Sequence, residues 1–150
     1  MKLTSTTFDY GATIPTKYTC DSDNINPPLT IEDVPQKAKS LVLILEDPDV
    51  PRNLRKNGMW DHWVVYDIPP DVREISEHSE PPGVHGAGTG GNQKYHGPCP
   101  PDREHRYFFK LFALDAKLDL PPKSSKSQVE QAMEGHILAK AELMGRYERL

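Results

Sequence analysis

The sequence predicts a mainly β protein built of antiparallel strands, and two features carry that expectation. Fifteen prolines are spread through 150 residues. Proline cannot donate to a sheet ladder and interrupts helices, so it punctuates many short elements. Three apolar runs of strand length stand between them, Ser40 to Glu46, His62 to Asp67 and Arg106 to Asp115. The first two stop at Asp47-Pro48 and Ile68-Pro69-Pro70, as strands buried on both faces do. The third is rich in aromatic residues and suits a central strand. A single domain, 1–150, accounts for the chain, and a domain of that length buries about two-thirds of its unfolded surface.

Taken in order, Leu3 to Phe8 reads as a first strand, Gly11 to Pro15 and Asp21 to Pro28 as loops of turn residues, and Leu29 to Ile31 as a short strand. Pro81 to Gly91 holds five glycines and two prolines and reads as an irregular surface loop. Near the C-terminus, Ser127-Gln128-Val129-Glu130 fits a capping box. Val129, Ala132, Met133, Ile137, Ala141 and Met144 follow at helical spacing, with Gly145 at the C′ position. This predicts a C-terminal helix with His136 packed on the sheet.

A net charge of -4 gives no footprint for nucleic acid. The longest apolar run, Leu41 to Leu45, is far short of the roughly 20 residues of a membrane span. No export signal is visible at the N-terminus, so the expected compartment is the cytoplasm, with Cys20 and Cys99 as reduced thiols. Metal-ligand spacings such as C-x-x-C or H-E-x-x-H are absent from the sequence, so no cofactor or metal is expected.

Chemistry concentrates between Asp47 and Tyr107. Asp47 and Asp49 follow a buried strand and are flanked by prolines; in extended geometry both carboxylates point the same way, while as turn residues they cap nearby N–H groups. His62 stands at the start of the second run, and His105 and Tyr107 share a face at the start of the third. Two imidazoles, a phenol and two carboxylates at strand ends suit a cluster of phosphate or carboxylate oxygens. Gly97 permits a close backbone approach, and Pro100-Pro101 forms a preset apolar wall. Trp63 is expected in the core and Trp60 either at a mouth or in the core, whereas His78, His85 and His96 read as solvated or loop residues.

At these residues the chain resembles the phosphatidylethanolamine-binding protein family, in its short bacterial and archaeal, Raf-kinase-inhibitor-like subgroup. The motifs are Asn26-Pro27-Pro28-Leu29, Asp47-Pro48-Asp49-Val50-Pro51, Asp61-His62-Trp63-Val64-Val65, and Gly97-Pro98-Cys99-Pro100-Pro101 followed by His105-Arg106-Tyr107. Their order and spacing cover nearly the whole chain. The resemblance implies an antiparallel β-sandwich with a small pocket for phosphate-like anions, lined or supported by Asp47, Asp49, Pro51, His62, Pro100, Pro101, His105 and Tyr107. Val50 stands where the family usually has alanine, which narrows the neighbouring wall. The resemblance also raises a homodimer and a kinase or protease partner, but kinase inhibition and lipid affinity are not carried over.

The expected function is therefore a non-enzymatic binding module in which His62, His105 and Tyr107 donate to an anion. Asp47 and Asp49 would orient a histidine or accept from a protonated ligand oxygen. The alternative is a metal-assisted hydrolase using His62, His105 and Asp47 or Asp49.

Overall fold

The apolar runs form the middle of the molecule. The computed structural model describes residues 1–149. Its strands are β1 (Lys2–Thr4), β2 (Leu29–Glu32), β3 (Ser40–Asp47), β4 (Trp60–Ile68), β5 (Glu74–Ile75), β6 (Val84–His85), β7 (His105–Leu114) and β8 (Ile137–Tyr147). They assemble into a small sheet in the order β1-β2-β5 and a larger one in the order β6-β4-β3-β7-β8. All pairings within the two sheets are antiparallel.

β3 is buried along its whole length. On one face Leu41, Leu43 and Leu45 meet Trp63, Val65, Phe109 and Leu111, with Leu3, Leu29 and Ile31 of the small sheet closing the layer. On the other, Val42 and Ile44 lie with Val64 and Tyr66 beneath Val129 and Met133 of the helix α1 (Lys126–Met133). Each of these aliphatic side chains contributes roughly 2 kcal/mol by leaving water.

The expected C-terminal helix is much shorter than its periodicity suggests. Its cap is Ser125, whose side chain accepts from the backbone N–H of Gln128 while Gln128 reaches back to the Ser125 N–H. Two overlapping capping boxes are present in Ser125 to Glu130, and the earlier one is used. The helix ends at Met133, and Gly135 at φ +81° turns the chain. The residues after it pair along β7 as β8, with Ala139, Ala141, Leu143 and Tyr147 toward the core. Alternation of Ala and Leu with Lys and Glu fits a strand as well as the helical stripe, and the open edge of β7 decides between them. Gly145 is thus a strand residue, where a Cβ would collide with Ile14 and Phe8. His136 is half exposed and pairs with Asp115 at 2.8 Å. The glycine-rich segment is not wholly irregular, since Val84 and His85 add a strand beside β4.

Cys20 and Cys99 are joined in a disulfide, with Cα atoms 5.4 Å apart. This corrects the expectation of free thiols. The reason is spatial: Cys20 N–H donates to the Pro98 carbonyl, Gly97 N–H to Asn24 Oδ1, and the Tyr95 hydroxyl to the Tyr18 carbonyl. These bonds bring two distant loops together. Gly97 is where the backbones meet most closely, since a Cβ there would strike the Tyr18 carbonyl. With an oxidised pair, the cysteine argument for a reducing compartment falls away. No helix among the described residues is long and apolar enough to cross a membrane.

The cross-link spans 79 residues, and a closed loop of that length restricts the unfolded chain by roughly 4 kcal/mol. The double variant Cys20→Ser, Cys99→Ser is expected to lose about 2–5 kcal/mol of stability in urea unfolding, and dithiothreitol should bring the wild type to the same midpoint. Equal stability with and without reductant would refute the cross-link.

Candidate functional site

The site begins with one irregularity in β4. Asp47 pairs with Trp60 and Glu46 with Asp61, but Leu45 pairs with Trp63. One step on β3 thus spans two on β4, and His62 is the additional residue of a β-bulge. In a regular ladder His62 would share the helix-covered face of Val64 and Tyr66. The bulge turns it to the face between the sheets, beside Trp63, where its ring meets Tyr107 edge-on with centroids 5.5 Å apart. Asp61 keeps the outer face and pairs with Lys126 at 2.9 Å.

Asp47 ends β3 and His105 starts β7, side by side on that same inner face. The His105 Nδ1 lies 2.6 Å from Asp47 Oδ2, and its Nε2 lies 2.6 Å from Asp102 Oδ1. The imidazole is fully buried. Both contacts are hydrogen bonds only when both ring nitrogens carry protons and donate, or when one carboxyl carries a proton and donates to the bare nitrogen. Burial pushes the Asp47 carboxyl up from its ordinary range, against the opposing pull of His105 and of the Asp49 N–H bonded to Asp47 Oδ1. That last bond is a turn, and it breaks the extended geometry on which a shared direction for the two aspartates depends. The Asp49 carboxylate instead faces Arg106 through two side-chain bonds of 2.8 and 2.9 Å, and accepts from its backbone N–H. Those bonds hold Asp49 below the usual carboxylate range.

Next to this pair lies a cavity of about 180 Å³ lined by Asp47, Val50, Leu54, Trp60, His62, His96, Cys99, Pro101 and Tyr107. The His62 Nδ1 is 2.8 Å from the carbonyl oxygen of His96. A carbonyl only accepts, so this nitrogen carries the proton. Burial lowers the His62 pKa to about 4, which leaves Nε2 a bare acceptor at neutral pH. The Tyr107 hydroxyl is buried without a hydrogen-bond partner. Its pKa is raised, first by burial and then by the charge and close approach of the Asp47 carboxylate, with the Cys99 N–H opposing, so the phenol keeps its proton.

Of the residues expected at the site, Asp47, His62, Pro101 and Tyr107 line the cavity. His105 is bonded to Asp47 and is not among the lining residues. Asp49, Pro51 and Pro100 lie outside the lining. The sequence reading missed His96, Cys99, Leu54 and Asp102. The spacing of Asp102 three residues before His105 was a signal for the last; His96 is the exposed loop residue that the sequence suggests, and its ring also lines the cavity. Val50 and Trp60 are both among the lining residues. With both nitrogens of His105 facing carboxylates, the metal alternative loses a free lone pair there. No group of three or more His, Cys, Asp or Glu among the described residues is arranged around a metal position.

Two antiparallel sheets with one short helix and a small cavity at the strand ends define a β-sandwich of the kind that carries a strand-end pocket. The chain belongs to the phosphatidylethanolamine-binding protein family, whose profile matches residues 4–148. It is 51% identical to a UPF0098 protein of Chlamydia pneumoniae over 99% of both chains, and 46% identical to one of Methanothermobacter thermautotrophicus over 99% of both. Among solved structures it is similar to CT736 of Chlamydia trachomatis, a homologue of the same family (TM-score 0.96, 50% identity, covering 99% of this chain and 97% of that one). It is also similar to YbcL of Escherichia coli, described as a new member of the mammalian family (TM-score 0.88, 30% identity, covering 99% and 98%).

The buried, neutral His62 has a consequence for stability. Its pKa falls from 6.5 to about 4 on folding, so below pH 6.5 the unfolded chain binds a proton that the folded one does not. The stabilisation is complete above pH 6.5 and is lost as pH falls toward 4. Relative to His62→Asn, which keeps a donor to the His96 carbonyl but does not titrate, the wild type should lose about 3 kcal/mol between pH 7 and 4. Asp47, raised on folding, acts in the opposite sense in both proteins and cancels in the comparison. Parallel pH–stability curves for the two would contradict the assignment.

Proposed function

We propose that this chain is a non-enzymatic binding protein for a small molecule bearing a phosphate or carboxylate group, held in the cavity at the ends of β3, β4 and β7. The observation that carries the reading is the Tyr107 hydroxyl, buried in the cavity wall without a hydrogen bond of normal length, although the Asp47 carboxylate and the Cys99 N–H lie close enough to act on it. A buried polar group left unpaired costs about 1–3 kcal/mol, and a ligand oxygen would supply the missing acceptor. Membership of a family named for binding phosphatidylethanolamine supports the same chemistry.

The lining also favours binding over catalysis. Its one cysteine is held in the disulfide, and no serine or threonine stands among the lining residues to act as a nucleophile. Val50, Leu54, Trp60 and Pro101 supply the apolar part of the lining. The volume of about 180 Å³ is below the roughly 300–1,000 Å³ of pockets that take drug-sized molecules, so the part enclosed is a head group of a few heavy atoms. The proposal concerns this ligand only and does not extend to a kinase or protease partner.

Titration with inorganic phosphate, followed by amide NMR, is expected to shift resonances of residues 47–50, 60–62 and 96–107. Tyr107→Phe keeps the ring that packs on His62 and removes one hydroxyl; it should weaken phosphate at least about tenfold, the cost of one buried hydrogen bond, with the rest of the spectrum preserved. A wild-type spectrum unmoved at millimolar phosphate would defeat the reading.

A further inference from the structure

One wall of the cavity comes from a single loop. His96, Cys99 and Pro101 all belong to the stretch between β6 and β7, which contains no strand or helix. What holds that loop is a second irregular segment, which follows the 3-10 turn Thr16–Tyr18. The two meet through the Cys20 N–H on the Pro98 carbonyl at 3.1 Å, the Gly97 N–H on Asn24 Oδ1 at 2.8 Å and the Tyr95 hydroxyl on the Tyr18 carbonyl at 2.7 Å. The Cys20–Cys99 bond is the covalent tie between them, and it ends on a residue of the cavity wall.

Two polar contacts of the site depend on where this loop lies. The His96 carbonyl accepts from His62 Nδ1 at 2.8 Å, so His62 presents Nε2 as an acceptor and not as the donor expected from the sequence. The Cys99 N–H lies close to the Tyr107 oxygen. Neither cysteine stands in a strand, and the ladders of both sheets are complete without the loop. A change at the cross-link is therefore felt first at the cavity wall. Neither cysteine is fully buried, so a small reductant has access to the bond.

We propose that the Cys20–Cys99 pair is a redox control on this cavity: the oxidised form fixes the wall in its binding geometry, and reduction frees the loop and weakens the hold on the ligand. This rests on the binding function proposed above. The reductant is a dithiol. One of its thiolates bonds to one protein sulfur as the S–S bond breaks and the other sulfur leaves as a thiolate. Its second thiolate then displaces the first sulfur and closes the dithiol's own disulfide. Two electrons pass to the protein, and each cysteine takes up a proton as it becomes a thiol.

Coupling of this kind is reciprocal. A ligand held tenfold more weakly by the reduced form makes the pair tenfold harder to reduce when it saturates the site, which for two electrons is about 30 mV. A cross-link that serves only the stability of the fold has no such link to the cavity.

The test titrates inorganic phosphate by amide NMR, at one pH, into the intact protein before and after reduction with dithiothreitol. The reduced protein is expected to keep the ligand-free amide pattern of β3, β4 and β7 and to bind phosphate at least tenfold more weakly. The ring nitrogen shifts of His62 should move toward a mixture of tautomers. The midpoint potential in dithiothreitol mixtures should fall by about 30 mV when phosphate is saturating. Cys20→Ser, measured in reductant, leaves every lining residue in place and should match the reduced affinity; retention of the oxidised affinity would refute the proposal. Equal affinity in the two redox states, with a potential that phosphate does not move, would overturn it and leave the binding function standing. Loss of the whole folded spectrum on reduction would make the bond a staple of the fold and overturn the redox control alone. Oxidised protein that binds no phosphate would overturn both readings.

Discussion

Burial of β3 on both faces is the constraint around which the other elements are placed. A strand with apolar side chains in both directions needs a layer on each side. The small sheet supplies one, and α1 with the segment before it supplies the other. Neighbours β4 and β7 satisfy the backbone of β3, and their own inner faces then become part of the same core. The end of β3 is consequently a fixed point. Asp47 is held where the apolar layer gives out, and what the chain can bind follows from what the adjoining strand ends bring to it.

Those strand ends bring polar groups into a place that has already lost most of its water. A buried carboxylate is costly unless bonded, and Asp47 is supported by His105, which is in turn backed by Asp102. The pair stiffens the floor of the cavity. The wall is stiffened separately: the loop from Tyr95 to Pro101 is tied by Glu80, Tyr18, Asn24 and the disulfide. Its His96 carbonyl then sets the proton position on His62. The tautomer of one side chain is thus determined by a loop held in place by contacts far along the sequence.

The strands that carry the site were legible because burial on both faces writes itself as an unbroken apolar run, and Asp47, His62 and Tyr107 stand at the ends of such runs. The family motifs added the order. What was hidden depended on partners distant in sequence. β8 was concealed by alanine and methionine, residues at home in a helix, and only the open edge of β7 reveals it as a strand. Asp49 stands outside the lining because a single side-chain-to-backbone bond turns the chain between the two aspartates, the second of the two readings their spacing allows. Cys20 and Cys99 were judged by compartment, an argument that does not speak to whether two loops lie together. His105 was correctly placed at the strand start, but its role as a support could not be known until Asp102 closed on its other nitrogen. Asp61 to Tyr66, with apolar side chains on both faces, gives no alternation from which a bulge could be detected.

That bulge separates the persistence of the fold from the persistence of the site. The ladder between β3 and β4 resumes on either side of His62, so the sheet owes its integrity to the flanking pairs and not to the inserted residue. A chain shorter by this one position would close the ladder between Leu45 and Glu46, with Trp63 still inward and Asp61 still outward. It would retain the architecture and have no imidazole beside Tyr107. In evolutionary terms, the pocket's acceptor could be gained or erased by a single-codon insertion or deletion in a sheet that has no need of it.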